Sequence, residues 1–260
     1  VSDIPVTPPI RGAHYDSTRQ TWETIWDGAS MDVEMEAVQS RRAQETLRAY
    51  LPYLDQNSVV LEAGSGLSAV VITLRRMGYR VVGLDYAENA LHFSRQYDPD
   101  LALVAGDVHA LPYAENSIGA YLSFGVLEHF EHGMQPALQE AYRILQPGGT
   151  LVLTIPYPNV IWRLAQWKRR LAGQTRIKED FYESTYTRSA LEAEAKQAGF
   201  TILTSQPTSH SFTLWGMGPL FRAEGYYRTN ALAEGLGDML RLLLPWPFNF
   251  MTLLVGQKPK

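Results

Sequence analysis

Short runs of β-branched and aliphatic residues alternate along the chain with stretches in which apolar side chains return every three or four positions. The runs at 58–62, 80–85, 101–105, 118–124 and 149–155 are continuous, as expected of strands buried on both faces. Between them the helical period covers 68–77, 87–97 and 134–145. Strand and helix in turn predict an α/β fold with a parallel, doubly wound sheet and right-handed crossovers. After a pause beyond residue 155, a helix at 189–198, a strand at 200–205 and a last strand near 248–255 resume the series. Ahead of the first strand, 32–50 reads as one charged amphipathic helix that stops at Pro52. An aromatic segment with Tyr15, Trp22 and Trp26 precedes it. The stretch 210–227 is rich in aromatics and Gly and shows no period, and no internal repeat is visible.

Composition narrows the picture. With 260 residues, 45% hydrophobic and 19% charged, the chain can bury a substantial core, which excludes a disordered polymer. The absence of Cys removes thiolate zinc sites, Cys nucleophiles, redox dyads and disulfide frameworks. A formal net charge of −4 offers no global field for nucleic acid. The longest apolar stretch, 242–256, holds Pro245, Pro247 and Asn249 and does not read as a membrane span. No basic-then-apolar leader stands at Val1, and 1–9 reads as a Pro-rich tail. The expectation is a soluble, cytoplasmic protein of one domain.

The most informative segment is Leu61-Glu62-Ala63-Gly64-Ser65-Gly66-Leu67-Ser68-Ala69, placed where the first strand hands over to the first helix of the series. Glycines there allow a tight bend and a close approach of backbone to ligand, and the next helix aims its free N–H groups at the same place. The second strand ends in Asp85, 21 residues after Gly64, where a carboxylate can accept both ribose hydroxyls of a nucleotide. Two readings compete. Gly64-Ser65-Gly66-Leu67-Ser68-Ala69 satisfies the dinucleotide pattern of a nicotinamide dehydrogenase. Glu62 opposes it, because a carboxylate beside the turn repels a pyrophosphate and welcomes a ligand carrying an amino group. A purely structural turn with a surface Asp is the plain alternative.

These residues resemble the class I S-adenosylmethionine-dependent methyltransferases. The likeness continues at Gly106-Asp107-Val108-His109-Ala110-Leu111-Pro112, at Ser123-Phe124-Gly125-Val126-Leu127-Glu128-His129-Phe130, and at Arg143-Ile144-Leu145-Gln146-Pro147-Gly148-Gly149. The five ordered matches span about 58–155, and the branch they resemble is the small-molecule group that includes quinone-biosynthesis enzymes. The resemblance implies a Rossmann-like sheet of seven strands, mostly parallel with an antiparallel last strand and helices on both faces. It implies S-adenosyl-L-methionine as cofactor, S-adenosyl-L-homocysteine as product, and no metal. Glu62 with Gly64, Ser65 and Gly66 would hold the methionine part. Asp85 would bind the ribose hydroxyls with Tyr86 beside the adenine, Asp107 and Val108 would meet the adenine edge, and Phe124 and Gly125 would line the sulfonium side. Ser68 departs from the pattern where many members have a third Gly.

Methyl transfer from a sulfonium is an in-line displacement that draws on alignment and dehydration, and a base is needed only if the acceptor carries a proton. The resemblance makes His129 the candidate base, with Tyr15 from the N-terminal segment as its partner; the plain alternative is a His that packs or caps. Glu128 reads as a solvated or cofactor-adjacent residue, and the remaining His residues show no metal-ligand spacing. The stretch 159–178 carries Arg163, Lys168, Arg169, Arg170, Arg176 and Lys178 and no acid, with Ile161, Leu164, Ala165, Trp167 and Leu171 roughly on one helical face. It would rest on an anionic membrane, receive an acidic acceptor, or simply form a solvated cap. Phe212, Trp215, Phe221, Tyr226 and Tyr227, with Arg222 and Arg228, suit a pocket wall or ordinary packing. The expected layout is a lid at 1–52, a cofactor half at 53–155 and capping inserts at 156–188 and 208–247. The expected partner is a small organic acceptor, bulky and partly apolar or anionic, methylated on O, N or C. Oligomeric state stays open, as does a catalytically silent cofactor-binding subunit.

Overall fold

Apolar residues that alternate within continuous hydrophobic runs send successive side chains to opposite faces of a sheet, and both faces are covered here. The computed structural model describes residues 15–173, 183–224 and 228–260, except for the side chains of 15–18. Its elements are α1 (Tyr15–Asp27), α2 (Met31–Val38), α3 (Arg41–Tyr50), β1 (Val59–Ala63), α4 (Ala69–Arg76), β2 (Arg80–Asp85), α5 (Glu88–Tyr97), β3 (Leu103–Ala105), β4 (Ile118–Phe124), α6 (Gln135–Ile144), β5 (Leu145–Pro156), α7 (Val160–Leu171), α8 (Arg188–Gln197), β6 (Thr201–Thr208), α9 (His210–Trp215), α10 (Ala231–Leu243) and β7 (Met251–Gln257).

The seven strands form one sheet in the order β3-β2-β1-β4-β5-β7-β6. Pairing is parallel from β3 through β5, and β7 runs antiparallel to both β5 and β6. This is the doubly wound, mostly parallel sheet with an antiparallel last strand that the sequence predicts. Leu61, Tyr121, Leu151, Leu153 and Leu254 pack toward α6 and α8, joining Leu138, Ile144 and Leu191. Their neighbours Val60, Ala120, Leu122, Val152 and Val255 face the other way, toward α3, α4 and α5. The strand order reverses between β1 and β4, so the carboxyl ends of these strands open a crevice, the usual ligand position in such sheets.

Three local expectations change. The helix expected over 32–50 is two helices, because Ser40 is extended (φ −59°, ψ 152°) and its hydroxyl accepts from the Ala43 amide at 3.4 Å, starting α3 afresh. The aperiodic stretch after 209 contains the one-and-a-half-turn helix α9. The last strand begins at Met251 rather than near 248, since Pro247 and Asn249 lie in the approach to it. The tail at 1–9, Arg176, Lys178, Tyr226 and Tyr227 lie outside the described residues.

The Arg143 motif is a structural staple. Its guanidinium donates to the carbonyls of Tyr113 (2.8 Å) and Leu111 (3.0 Å) and to the Glu140 carboxylate, while that carboxylate accepts from the Leu111 amide at 2.9 Å. The loop after β3 is thereby tied to α6 by a planar fork that suits several acceptors at once.

Candidate active site

The turn after β1 is shaped by backbone conformation. Gly64 and Gly66 sit at φ 81° and 48°, and Ser68 takes the left-handed conformation (φ 58°) that the resemblance assigns to a third Gly. Ser68 is fully buried, and its hydroxyl lies 3.3 Å from that of Ser65. A Cβ on Gly64 would come within 2.3 Å of Val126 Cγ2, so the turn and the segment after β4 touch with no room for a side chain. Asp85 fastens the turn from β2. One carboxylate oxygen accepts from the Gly66 amide at 2.7 Å and the other from the Ala87 amide at 2.8 Å. Burial nevertheless raises the Asp85 carboxyl above the ordinary carboxylate value, against those amide donors.

Glu62 is 4% exposed, and its Oε2 has no hydrogen-bond partner. Burial, with a smaller push from Asp85, raises its carboxyl to about 8. A buried carboxylate facing a cavity without a cation is costly, and the cost disappears when an ammonium is supplied. Glu128 repeats the pattern in the 3-10 turn Leu127–His129. It is 2% exposed, its Oε2 lacks a partner, and burial with some repulsion from Glu183 lifts it to about 8. Of the two readings of Glu128, solvated or cofactor-adjacent, its burial at the cavity excludes the first.

These groups line one cavity of about 700 Å³. Glu62, Gly64, Ser65, Gly66, Asp85, Tyr86, Phe124, Gly125, Glu128 and His129 all border it. Asp107 and Val108 are not among its lining residues. The Asp107 carboxylate instead accepts from the His109 amide at 2.9 Å and meets that ring's Nδ1 at 2.8 Å, and Val108 is buried in the core. The side chain of Tyr15 lies outside the described residues, although α1 starts there. Trp26 and Trp22 from α1 roof the site. Their rings stack at 5.6 Å, Trp22 stands edge-on to the His129 ring at 5.3 Å, and Trp26 lies directly over Gly66. Asn89 on α5 anchors this roof by donating to the Glu23 carbonyl and the Asp27 carboxylate, both at 2.8 Å.

Away from the turn, the cavity passes between α2, α3 and α9. Its walls there include Glu34, Arg42, Thr46, Phe212 and Trp215. The Arg42 guanidinium sits 4.2 Å above the centre of the Phe212 ring. Burial lowers the Arg42 pKa from its ordinary value, offset by Glu234 and Glu34, and burial raises Glu34, offset by Arg42. Phe212 and Trp215 stand in the wall, as one of the two readings of their segment has it, whereas sequence reasoning misses Arg42 and Glu34, which look like part of a charged amphipathic helix. From 156–188, Pro156 and Glu183 reach the cavity and no residue of α7 does. Among the described residues no group of three or more His, Asp or Glu could hold a metal ion.

The site fits the cofactor that the resemblance implies. The unpartnered Glu62 Oε2 suits an ammonium, Asp85 retains lone pairs for vicinal hydroxyls, and Gly64 and Gly66 border the cavity with backbone alone. Residues 61–153 match a methyltransferase domain model. The chain is 27% identical over 200 residues to the malonyl-[acyl-carrier protein] O-methyltransferase of Methylococcus capsulatus, covering 74% of this chain and 70% of that protein. It is 29% identical over 155 residues to the biotin biosynthesis bifunctional protein BioHC of Cellvibrio japonicus, covering 59% of this chain and only 30% of that longer protein. A methyltransferase solved in complex with the Haloferax volcanii Trm112 methyltransferase activator superimposes with a TM-score of 0.63 at 18% identity, over 92% of this chain and 98% of that one. Neither the dehydrogenase nor the silent subunit is favoured by these likenesses. Its seven-stranded sheet, its acid-flanked glycine turn and the methyltransferase domain match over 61–153 make the chain similar to the class I S-adenosylmethionine-dependent methyltransferases.

Proposed function

We propose that this chain transfers a methyl group from S-adenosylmethionine to a small organic acceptor seated in the chamber between α2, α3 and α9. The observation that carries this reading is the continuity of one cavity from the acid-flanked glycine turn to the aromatic chamber around Arg42. Bound at the turn, S-adenosylmethionine supplies an activated sulfonium methyl that an acceptor lone pair can displace. Glu62 holds the amino group of the methionine part, and Asp85 orients the ribose while keeping Gly66 in place. Trp22 and Trp26 exclude water over the turn, which strengthens the electrostatics beneath them. His129 takes the acceptor's proton where there is one, and Glu128 beside it is a second group able to exchange protons near neutrality. The Phe212 ring and the Arg42 guanidinium favour an acceptor with an apolar body and a polar or anionic tip.

Calorimetric titration with S-adenosylhomocysteine, with NADH as control, tests the cofactor half. Micromolar binding of the first alone supports the reading, whereas NADH binding without it overturns the reading. Methyl-labelled S-adenosylmethionine with pooled acceptors then tests transfer. His129→Ala should lower kcat for acceptors that lose a proton and leave the affinity for S-adenosylhomocysteine within about threefold.

A further inference from the structure

Two helices of this fold turn apolar stripes outward. On α7, Val160, Leu164, Trp167 and Leu171 recur at i, i+4, i+7 and i+11, one face of a helix. No residue of α7 is buried, and Leu164, Trp167 and Leu171 are 49%, 58% and 69% exposed. At 3.6 residues per turn, Arg163 and Arg170 flank this stripe at about 70–90° on one side and Lys168 at about 70° on the other. Acidic residues are absent from the helix. On α10 the same spacing holds for Leu232, Leu236, Met239 and Leu243, and exposed Leu242 and Leu244 extend the patch. Its charged residues lie on the opposite side. Asp238 is paired with Arg41 at 2.6 Å, and Glu234 accepts from Thr229.

Both helices are fixed to α9, which walls the acceptor chamber. Gly237 of α10 approaches so closely that a Cβ there would lie 2.7 Å from the Ser211 amide. Asn159, the N-cap of α7, donates to Thr213 on α9 (3.4 Å) and to the Asn249 carbonyl (2.9 Å). The Val160 amide donates to the Pro247 carbonyl at 2.9 Å, joining the start of α7 to the segment that follows α10.

We infer that α7 and the outer face of α10 dock this protein on an anionic lipid bilayer, beside the chamber that receives the acceptor. An apolar stripe edged by long cationic side chains on both sides lets the stripe enter the acyl boundary while the cations reach lipid phosphates. The same cations oppose a second copy, since a face-to-face α7 pair would bring Arg163, Lys168 and Arg170 against their own kind. The acceptor is then an apolar or lipid-resident molecule delivered from the bilayer; that part rests on the methyl-transfer reading, and the docking does not. No described helix is long and apolar enough to cross a membrane, so the contact is peripheral.

The test is co-sedimentation with phosphatidylcholine vesicles containing zero or 30 mol% phosphatidylglycerol. The expected result is partitioning that rises about 100-fold with the anionic lipid, as three cations near the surface supply, and that falls as salt is added. Trp167→Glu with Leu171→Glu should abolish it, and Lys168→Ala with Arg170→Ala should weaken it at least tenfold. Both pairs sit on an exposed helix outside the cavity, so melting temperature and S-adenosylhomocysteine affinity should stay at wild-type values. Absence of vesicle binding in the wild type overturns the docking whatever the cofactor result. So does sedimentation equilibrium showing a dimer that the Glu pair dissociates. Loss of cofactor affinity with vesicle binding intact instead strikes the methyl-transfer reading.

Discussion

Raising the pH from 6 to 7 should tighten S-adenosylhomocysteine binding about ninefold, because Glu62 must lose its proton to meet the ligand's ammonium. Its carboxyl stands at about 8 in the free protein, owing to burial and to nearby Asp85. At pH 7 it is then about 90% protonated, and ionising it for the ligand costs about 1.4 kcal/mol. At pH 6 the cost is about 2.7 kcal/mol, and the difference of about 1.3 kcal/mol is the ninefold change in Kd. Binding at pH 7 should release about 0.9 proton, measurable by repeating the titration in buffers of different ionisation enthalpy. Affinity should keep rising to about pH 8 and level off above it, where Glu62 is already ionised. Glu62→Gln removes the titrating group while keeping its shape, so it should bind more weakly and with a flatter profile below pH 7. A wild-type Kd that is equal at pH 6 and 7, or a Glu62→Gln profile as steep as the wild type's, would refute the assignment of Glu62 as the ammonium's partner.

The free protein should lose stability as pH rises from about 4.5 to 8. Glu62 and Glu128 keep protons when folded that they release when unfolded, at up to about 1.4 kcal/mol per pH unit each. Melting curves across that range check this, and Glu128→Gln should flatten the profile and raise stability at pH 8; an unchanged slope counts against a buried Glu128 whose Oε2 lacks a partner. Gly64→Ala should cost more than about 3 kcal/mol in urea denaturation, from left-handed strain and the collision with Val126. Adding Val126→Ala should recover only the steric share, and a single variant within 1 kcal/mol of wild type would remove the argument. Arg143→Lys should cost about 2 kcal/mol, because an ammonium cannot span Tyr113, Leu111 and Glu140 together; unchanged stability in the same assay would show the fork to be dispensable.

Much of the sheet is legible from the chain because period-2 burial inside continuous apolar runs is a local signal. The 80–85 and 118–124 runs match β2 and β4 residue for residue. The acid-flanked turn is legible for the same reason, since Glu62, Gly64, Gly66 and Asp85 lie within two strand ends. What escapes is set by distant packing. Nothing beside Arg42 in sequence tells that Phe212, 170 positions away, will face it. Glu128 can be read as solvated because a carboxylate in a polar-flanked loop usually is, and neither its burial nor the nearby charge of Glu183, 55 positions away, shows in the local sequence. The break at Ser40 is a capping choice that competes with helix continuation by a small free energy, so periodicity alone runs past it.

The position of β7 between β5 and β6 has a consequence for how the chain matures. β5 can pair with β4 as soon as residue 156 exists, but its other edge stays open, displaying backbone groups and the apolar side chains of Leu151, Leu153 and Ile155, until residues 251–257 arrive. β6 waits as well, since among the described residues its sheet partner is β7 alone. Through synthesis of nearly a hundred residues the nascent sheet carries an unprotected sticky edge of the kind that seeds intermolecular pairing. Solubility on expression should therefore depend far more on β7 than on any other short strand: a lesion there leaves β6 without its partner and the outer edge of β5 open, while one at the β3 edge leaves the central pairing intact.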